Sequence, residues 1–279
     1  MSERTLYITD LDGTLLNSSK QLGALTIELI NRIIDRKIPF SVATARSAGT
    51  ALQILEPLRL KLPVVLLNGV AVYDITRKEY VHVEAIPEEG SERVLKAMDE
   101  LGLKGFMYTI SDNEQITYYE ELYSPAMEDF HQERITKYKK IFEKVPSLKD
   151  KINPGPVVYF TLLDLWERLK PLKDALDGTE GIEVALYRDV YSADGWFLEV
   201  YSTKASKYNA VRFMREHYGF DKIIGFGDNH NDLPLFRACD EAYAVVNAVE
   251  ALKVRAKGLV HNCNSDGVAR FIARREKIL

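Results

Sequence analysis

The chain has 279 residues, of which 46% are apolar and 28% charged, and a formal net charge of −4. Such a length exceeds one ordinary domain and buries a sizeable core without help from disulfides or a structural metal. The acidic balance argues against nucleic acid as a partner, because binding a phosphate backbone takes a basic face.

Taken in chain order, Leu6-Tyr7-Ile8-Thr9 is a short run of β-formers ended by Asp10-Leu11-Asp12-Gly13-Thr14, which predicts a buried strand running into a turn. Leu22, Leu25, Leu29, Ile30, Ile33 and Ile34 recur at helical spacing, and strands are expected over 38–43 and 63–67, the latter closed by Asn68-Gly69. Strand–helix–strand–helix–strand implies a parallel α/β sheet. The pattern breaks over the middle of the chain, where longer loops, polar helices and strands at 106–109 and 157–163 are expected. It returns with a helix face of Tyr208, Val211, Met214 and Tyr218, a strand over 223–226, a short helix over 234–239, a strand over 242–246 and a helix over 248–256. The reading is therefore a parallel α/β core, 1–85 and 193–279, carrying an inserted α/β domain over 86–192. Cys239 and Cys263 form no ligand or redox motif and read as reduced thiols. No signal-peptide core follows Met1 and no apolar run spans a bilayer, so a cytoplasmic protein without membrane contact is expected.

Four polar clusters stand directly after apolar strands: 10–14, Thr44-Ala45-Arg46, Asn68-Gly69, and Gly227-Asp228-Asn229-His230-Asn231-Asp232. In an open parallel sheet the carboxyl ends of the strands form the ligand crevice, so these clusters are predicted to converge. Gly13 permits a sharp turn that brings the Asp12 carboxylate over Asp10. An ordinary Asp-Gly turn with a helix cap at Thr14 or Asn17 is the lesser alternative for the first cluster taken alone, and a capping loop explains one aspartate of the last but not the dense run. Asp228 and Asp232 beside Asp10 and Asp12 concentrate carboxylates that repel one another unless a cation sits among them, and all-oxygen donors suit Mg²⁺. His230 lies in the same loop, but Mg²⁺ prefers oxygen and it is not assigned as a ligand. Thr44, at a strand end, and Lys207, at a helix start, have the chemistry to reach phosphate oxygens, although either residue alone is usually solvated.

Asp10-Leu11-Asp12-Gly13-Thr14-Leu15 and Gly227-Asp228-x-x-Asn231-Asp232 resemble the first and fourth motifs of the haloacid dehalogenase superfamily, the latter in its Cof-type form. Ala43-Thr44-Ala45-Arg46-Ser47, Asn68-Gly69, Asn247-Ala248 and Asp266-Gly267-Val268-Ala269 resemble further landmarks of that branch. The resemblance implies a Rossmann-like core with an inserted α/β cap of the larger C2 type, and a Mg²⁺-dependent phosphatase acting on a small phosphate ester, with sugar phosphates foremost. It implies Asp10 as nucleophile, Asp12 as general acid and base, and Thr44, Lys207 and Asn231 on the substrate phosphate. It also implies Mg²⁺ on Asp10, the Asp12 carbonyl and Asp228, with Asp232 holding Lys207 or the metal's water shell. Asp12 must carry a proton in the first step, so neighbours that favour its acid form are expected. Ala45 stands where the family commonly has Gly, and Tyr208 follows Lys207 where Gly is usual, so Lys204 competes for the lysine role. Within the cap, His131, Arg188 and Tyr191 are candidates for substrate contact, although surface or packing roles are commoner for such residues. A phosphomutase and a non-catalytic phospho-ligand sensor are the alternatives.

Overall fold

The alternating pattern of the first segment becomes, in a computed structural model that describes residues 3–152, 155–188 and 195–279, strand β1 (Thr5–Thr9), helix α1 (Ala24–Asp35), β2 (Phe40–Val42), α2 (Ala48–Leu55), β3 (Val64–Leu66), β4 (Ala71–Asp74) and β5 (Glu79–Val83). The middle segment holds α3 (Glu88–Glu100), β6 (Phe106–Ser111), β7 (Glu114–Tyr119), α4 (Pro125–Tyr138), β8 (Ile141–Lys144), β9 (Val157–Leu165), α5 (Trp166–Leu176), β10 (Ile182–Arg188) and β11 (Gly195–Ser202). The last segment holds α6 (Lys207–Tyr218), β12 (Lys222–Gly227), α7 (Leu233–Ala238), β13 (Glu241–Val245), α8 (Glu250–Lys253), β14 (Gly258–Val260) and α9 (Gly267–Arg275). The fold is α/β.

Two compact units emerge, Met1–His82 with Ala205–Leu279, and Val83–Lys204. The second crossing lies at Ala205 rather than at 193, because β11 hydrogen-bonds between β9 and β10 and so belongs to the sheet of the inserted unit.

In the first unit five parallel strands stand in the order β14-β13-β12-β1-β2. Parallel strands are covered on both faces, which is why β1 and β12 read as unbroken apolar runs. Leu6 and Ile8 of β1 and Ile223 of β12 pack with Val211 and Met214 of α6, while α1 buries Leu29, Ile30, Ile33 and Ile34. Each such side chain contributes about 1.5–3 kcal/mol when taken from water. The register pairs Thr9 with Phe226, so Asp10 and Asp228 leave neighbouring strands at the same end of the sheet. The third expected strand does not extend this sheet. It meets it through a single parallel bridge, Ala43 to Val65, and pairs antiparallel with β4 in a three-stranded sheet β3-β4-β5.

The second unit has one six-stranded sheet in the order β10-β11-β9-β6-β7-β8, antiparallel except for β7 with β8. Val94, Leu95 and Met98 of α3 and Leu169, Leu172 and Leu176 of α5 pack against Met107, Phe160, Leu162, Leu198 and Val200. Side chains alternate across a strand, so Tyr108, Tyr159, Glu199 and Tyr201 occupy the other face. There the Tyr159 hydroxyl donates to Glu199 at 2.7 Å, and burial raises the Glu199 carboxyl above its ordinary value.

Candidate active site

Asp10 directly follows β1, with its amide donating to the Phe226 carbonyl at 2.9 Å, so backbone pairing with β12 carries one residue past the strand and fixes the carboxylate at its end. Lys207 opens α6, whose first turn is capped by the Ser206 hydroxyl accepting from the Asn209 amide. The Lys207 ammonium is buried and lies 2.6 Å from Asp10 Oδ1 and 2.6 Å from Asp232 Oδ1. Lys204 lies in the other unit, exposed, just beyond β11. Asp232 is fixed from the other side as well, its Oδ2 accepting from the amides of Asp228 and Asn229 at 2.9 and 3.1 Å. A charge-assisted bond from each carboxylate offsets the cost of burying the ammonium. Burial opposes the positive charge on Lys207, yet Asp10 and Asp232 outweigh it and hold the group above the usual lysine range.

Carboxylate oxygens of Asp10, Asp228 and Asp232 all lie within 4.8 Å of one another. One ammonium does not balance three carboxylates. Burial, then the charge of Asp232, raises Asp10 well above the ordinary aspartate value despite Lys207. Burial and Asp232 likewise push Asp228 up to about 6, against the Thr14 hydroxyl that donates to it at 3.2 Å. Excess negative charge on an all-oxygen donor set fits a hard divalent cation. Asp10, Asp228 and Asp232 are the candidate donors for such an ion, with both oxygens of Asp232 also accepting hydrogen bonds.

Two glycines permit this crowding. Gly13 has φ +76°, and a Cβ there would stand 2.3 Å from Asp228 Oδ2. A Cβ on Gly227 would stand 2.7 Å from that of Asp232. The turn that Gly13 makes also presents its carbonyl to the Asn247 amide group at 2.8 Å, tying the first cluster to the loop after β13.

Asp12 does not meet the surroundings expected for an acid. Both its oxygens are gripped by Arg46, from Nε at 2.7 Å and from the terminal nitrogen at 2.6 Å. Arg46 belongs to the Thr44-Ala45-Arg46 cluster singled out from the sequence, but its pairing with Asp12 is not expected there. The signal was an arginine two residues after Thr44 in a convergence otherwise dominated by acids. Thr44 is buried, and its hydroxyl accepts from the Arg46 amide at 3.2 Å. Asn231 is exposed and donates to the Asn68 side chain at 3.2 Å. The four clusters therefore do come together at one end of the sheet.

His230 is exposed on the acidic loop. In the second unit His131 packs edge-on against Tyr119 and Phe142, and Arg188 is exposed at the end of β10. Tyr191 lies outside the described residues. Among the described residues no helix is long and apolar enough to cross a membrane.

Residues 7–272 match the family model of the haloacid dehalogenase-like hydrolases. The chain is 23% identical to the pyridoxal phosphate phosphatase YbhA of Escherichia coli, over 98% of each protein. It is also 23% identical to the 5-amino-6-(5-phospho-D-ribitylamino)uracil phosphatase YwtE of Bacillus subtilis, over 94% of this chain and 95% of that one. Among solved structures it is similar in fold to TM0651 from Thermotoga maritima, with a TM-score of 0.81 at 24% identity over 98% of this chain and 97% of the other. A haloacid dehalogenase-like hydrolase from Bacteroides thetaiotaomicron matches with a TM-score of 0.79 at 22% identity, over 98% of this chain and all of that one.

Proposed function

The chain belongs to the haloacid dehalogenase-like hydrolases, and on that footing we propose that it is a cytoplasmic phosphatase of small phosphorylated metabolites that works through an aspartyl-phosphate on Asp10. The observation that carries this reading is Lys207, buried with its ammonium 2.6 Å from both Asp10 and Asp232, beside a further carboxylate at Asp228. A purely structural ion pair has no need of that third acid, and one ammonium leaves it uncompensated.

Asp10 keeps one oxygen on Lys207 and attacks phosphorus with the other, in line with the departing oxygen. Lys207, the Thr44 hydroxyl and the Asn231 side chain hold phosphoryl oxygens, and Asp232 fixes Lys207 against drift. Asp12 protonates the leaving oxygen and afterwards takes a proton from the water that attacks the aspartyl-phosphate. Arg46 holds both Asp12 oxygens and so orients the carboxylate, each oxygen keeping a second lone pair for the proton. Asp10, the Asp12 carbonyl and Asp228 would hold Mg²⁺, which supplies neutralisation of charge on the phosphoryl oxygens when bound.

The two relatives act, by their names, on pyridoxal phosphate and on a phosphorylated ribitylaminouracil. A sugar phosphate or a similarly small ester is the substrate class proposed here, with no part for nucleic acid. The unit Val83–Lys204 serves as the cap that sets which ester is accepted. Hydrolysis of a panel of phosphate esters with and without Mg²⁺, beside Asp10→Asn, tests the proposal. Metal-dependent release of phosphate by the wild type alone supports it, and equal activity or equal inactivity of the two proteins overturns it. Phosphate release without a bisphosphate activator separates this reading from a phosphomutase.

A further inference from the structure

The short loop after β3 carries no group with catalytic chemistry of its own, yet it is the most strained stretch of backbone near the site. Leu67, Asn68 and Gly69 have φ of +50°, +55° and +105° in succession. Left-handed backbone is unfavourable for a side-chain-bearing residue and strongly so for a bulky one, so a run of three survives only where its surroundings impose it.

The surroundings are the three groups assigned above to the substrate phosphate. The Leu67 amide donates to the Arg46 carbonyl at 3.0 Å and the Asn68 amide to the Thr44 carbonyl at 2.9 Å, which fixes the strand end that presents the Thr44 hydroxyl. The Asn68 side-chain oxygen accepts from Asn231 at 3.2 Å. Gly69 lies under the start of α6, where a Cβ would stand 2.2 Å from the Ser206 carbonyl carbon and oxygen and 2.8 Å from the Lys207 amide nitrogen. Those neighbours are backbone atoms, which cannot rotate away as a flexible side chain would. Gly69 therefore sets how closely the first turn of α6, and with it Lys207, approaches the sheet.

Resting on the phosphatase reading, we infer that the left-handed tripeptide 67–69 is the positioning element of the phosphate site, fixing the spacing of Thr44, Lys207 and Asn231 through contacts with all three. Its geometry is held by the fold, so the three phosphate donors stand at their working separation before substrate arrives. Asn68 and Gly69 act through those residues and touch no reacting atom.

The test uses the full-length protein, p-nitrophenyl phosphate as substrate and orthophosphate as competitive inhibitor, with the melting temperature read alongside. Gly69→Ala displaces the α6 start and is expected to lower kcat/KM about ten- to a hundredfold and to weaken inhibition by orthophosphate in parallel. Gly102→Ala is the control for strain alone. Gly102 also has positive φ, at +62°, but among the described residues nothing lies within 4 Å of the added carbon. That variant is expected to melt earlier with kcat/KM and the orthophosphate inhibition constant unchanged. If Gly69→Ala fails to fold, Asn68→Gly serves in its place. It relaxes the left-handed backbone, so the fold survives, but it removes the oxygen that holds Asn231 and is expected to weaken orthophosphate inhibition. A folded Gly69→Ala or Asn68→Gly protein with wild-type kcat/KM and wild-type orthophosphate inhibition overturns the inference. A wild type that neither hydrolyses the ester nor binds orthophosphate overturns the phosphatase reading itself, and this inference falls with it.

Discussion

Lys207→Met keeps an unbranched side chain one atom shorter and removes its charge. In the wild type one ammonium stands 2.6 Å from each of two carboxylates whose side chains are 7% and 0% exposed, with Asp228 close by. Removing one partner of a buried ion pair costs about 3–5 kcal/mol, because the charge left behind is neither paired nor solvated. Two bonds are lost here, which points to the upper part of that range. Asp10 provides an escape, since burial and Asp232 already raise it well above the ordinary aspartate value and the variant raises it further. Its folded value then exceeds its unfolded value, so the folded state binds more protons and stability falls as pH rises through that interval. The lysine itself is raised above its usual value, so its own titration removes stability only as pH rises from the unfolded lysine value through the folded one. The deficit of Lys207→Met is therefore larger at about pH 8 than at about pH 5, because the lower pH favours the acid form of Asp10. Urea unfolding of both proteins at the two pH values, with turnover of p-nitrophenyl phosphate beside it, measures this. A variant as stable as the wild type at both pH values, or one that keeps its turnover, would show that the buried triad is not held by Lys207.

The remaining predictions concern the other acids and the glycine that lets them meet. In metal-free protein, Asp228 at about 6 lies above its unfolded value, so stability falls as pH rises from the ordinary aspartate range to about 6. The loss is about 1–2 kcal/mol after allowing for solvent screening on its open side. Mg²⁺ at about a hundredfold excess over its dissociation constant adds about 2.7 kcal/mol and flattens that slope, and Asp228→Asn abolishes both effects in thermal shifts across pH. Gly227→Ala places a carbon 2.7 Å from that of Asp232 and is expected to cost about 1–3 kcal/mol in urea unfolding while lowering kcat more than it alters KM. Glu199, raised chiefly by burial, destabilises its unit as pH rises above the ordinary carboxylate range. Glu199→Gln flattens that limb of a urea-midpoint profile, and a profile unchanged by the substitution would place the carboxyl in contact with water.

Much of the core was legible because apolar strands end abruptly in acids and amides. Asp10 and Asp228 could be matched from opposite ends of the chain since β1 and β12 pair in parallel with their ends level. What the pattern hides is side-chain direction after a turn. Gly13 sends Asp12 to Arg46, a pairing that no spacing rule specifies. Likewise the tripeptide 67–69 reads as an Asn-Gly turn, and its contacts with 44–46, 206–207 and 231 exist only once three distant segments are brought together. The end of the insertion was misplaced because β11 is an amphipathic strand of ordinary composition, and only its pairing with β9 and β10 assigns it to the second sheet. Lys204 and Lys207 are alike in spacing and differ in burial, which is a property of the assembled sheet and α6.

The covalent role proposed for Asp10 is open to a chemical trap. Protein quenched in acid during turnover of a ³²P-labelled phosphate ester, then digested, should carry label on the peptide containing Asp10. With p-nitrophenyl phosphate, whose leaving group departs without a proton, the label should rise in Asp12→Asn, which lacks the base for hydrolysis of the intermediate, and it should vanish in Asp10→Asn. Label on another residue, or turnover that persists in Asp10→Asn, would contradict nucleophilic attack by Asp10.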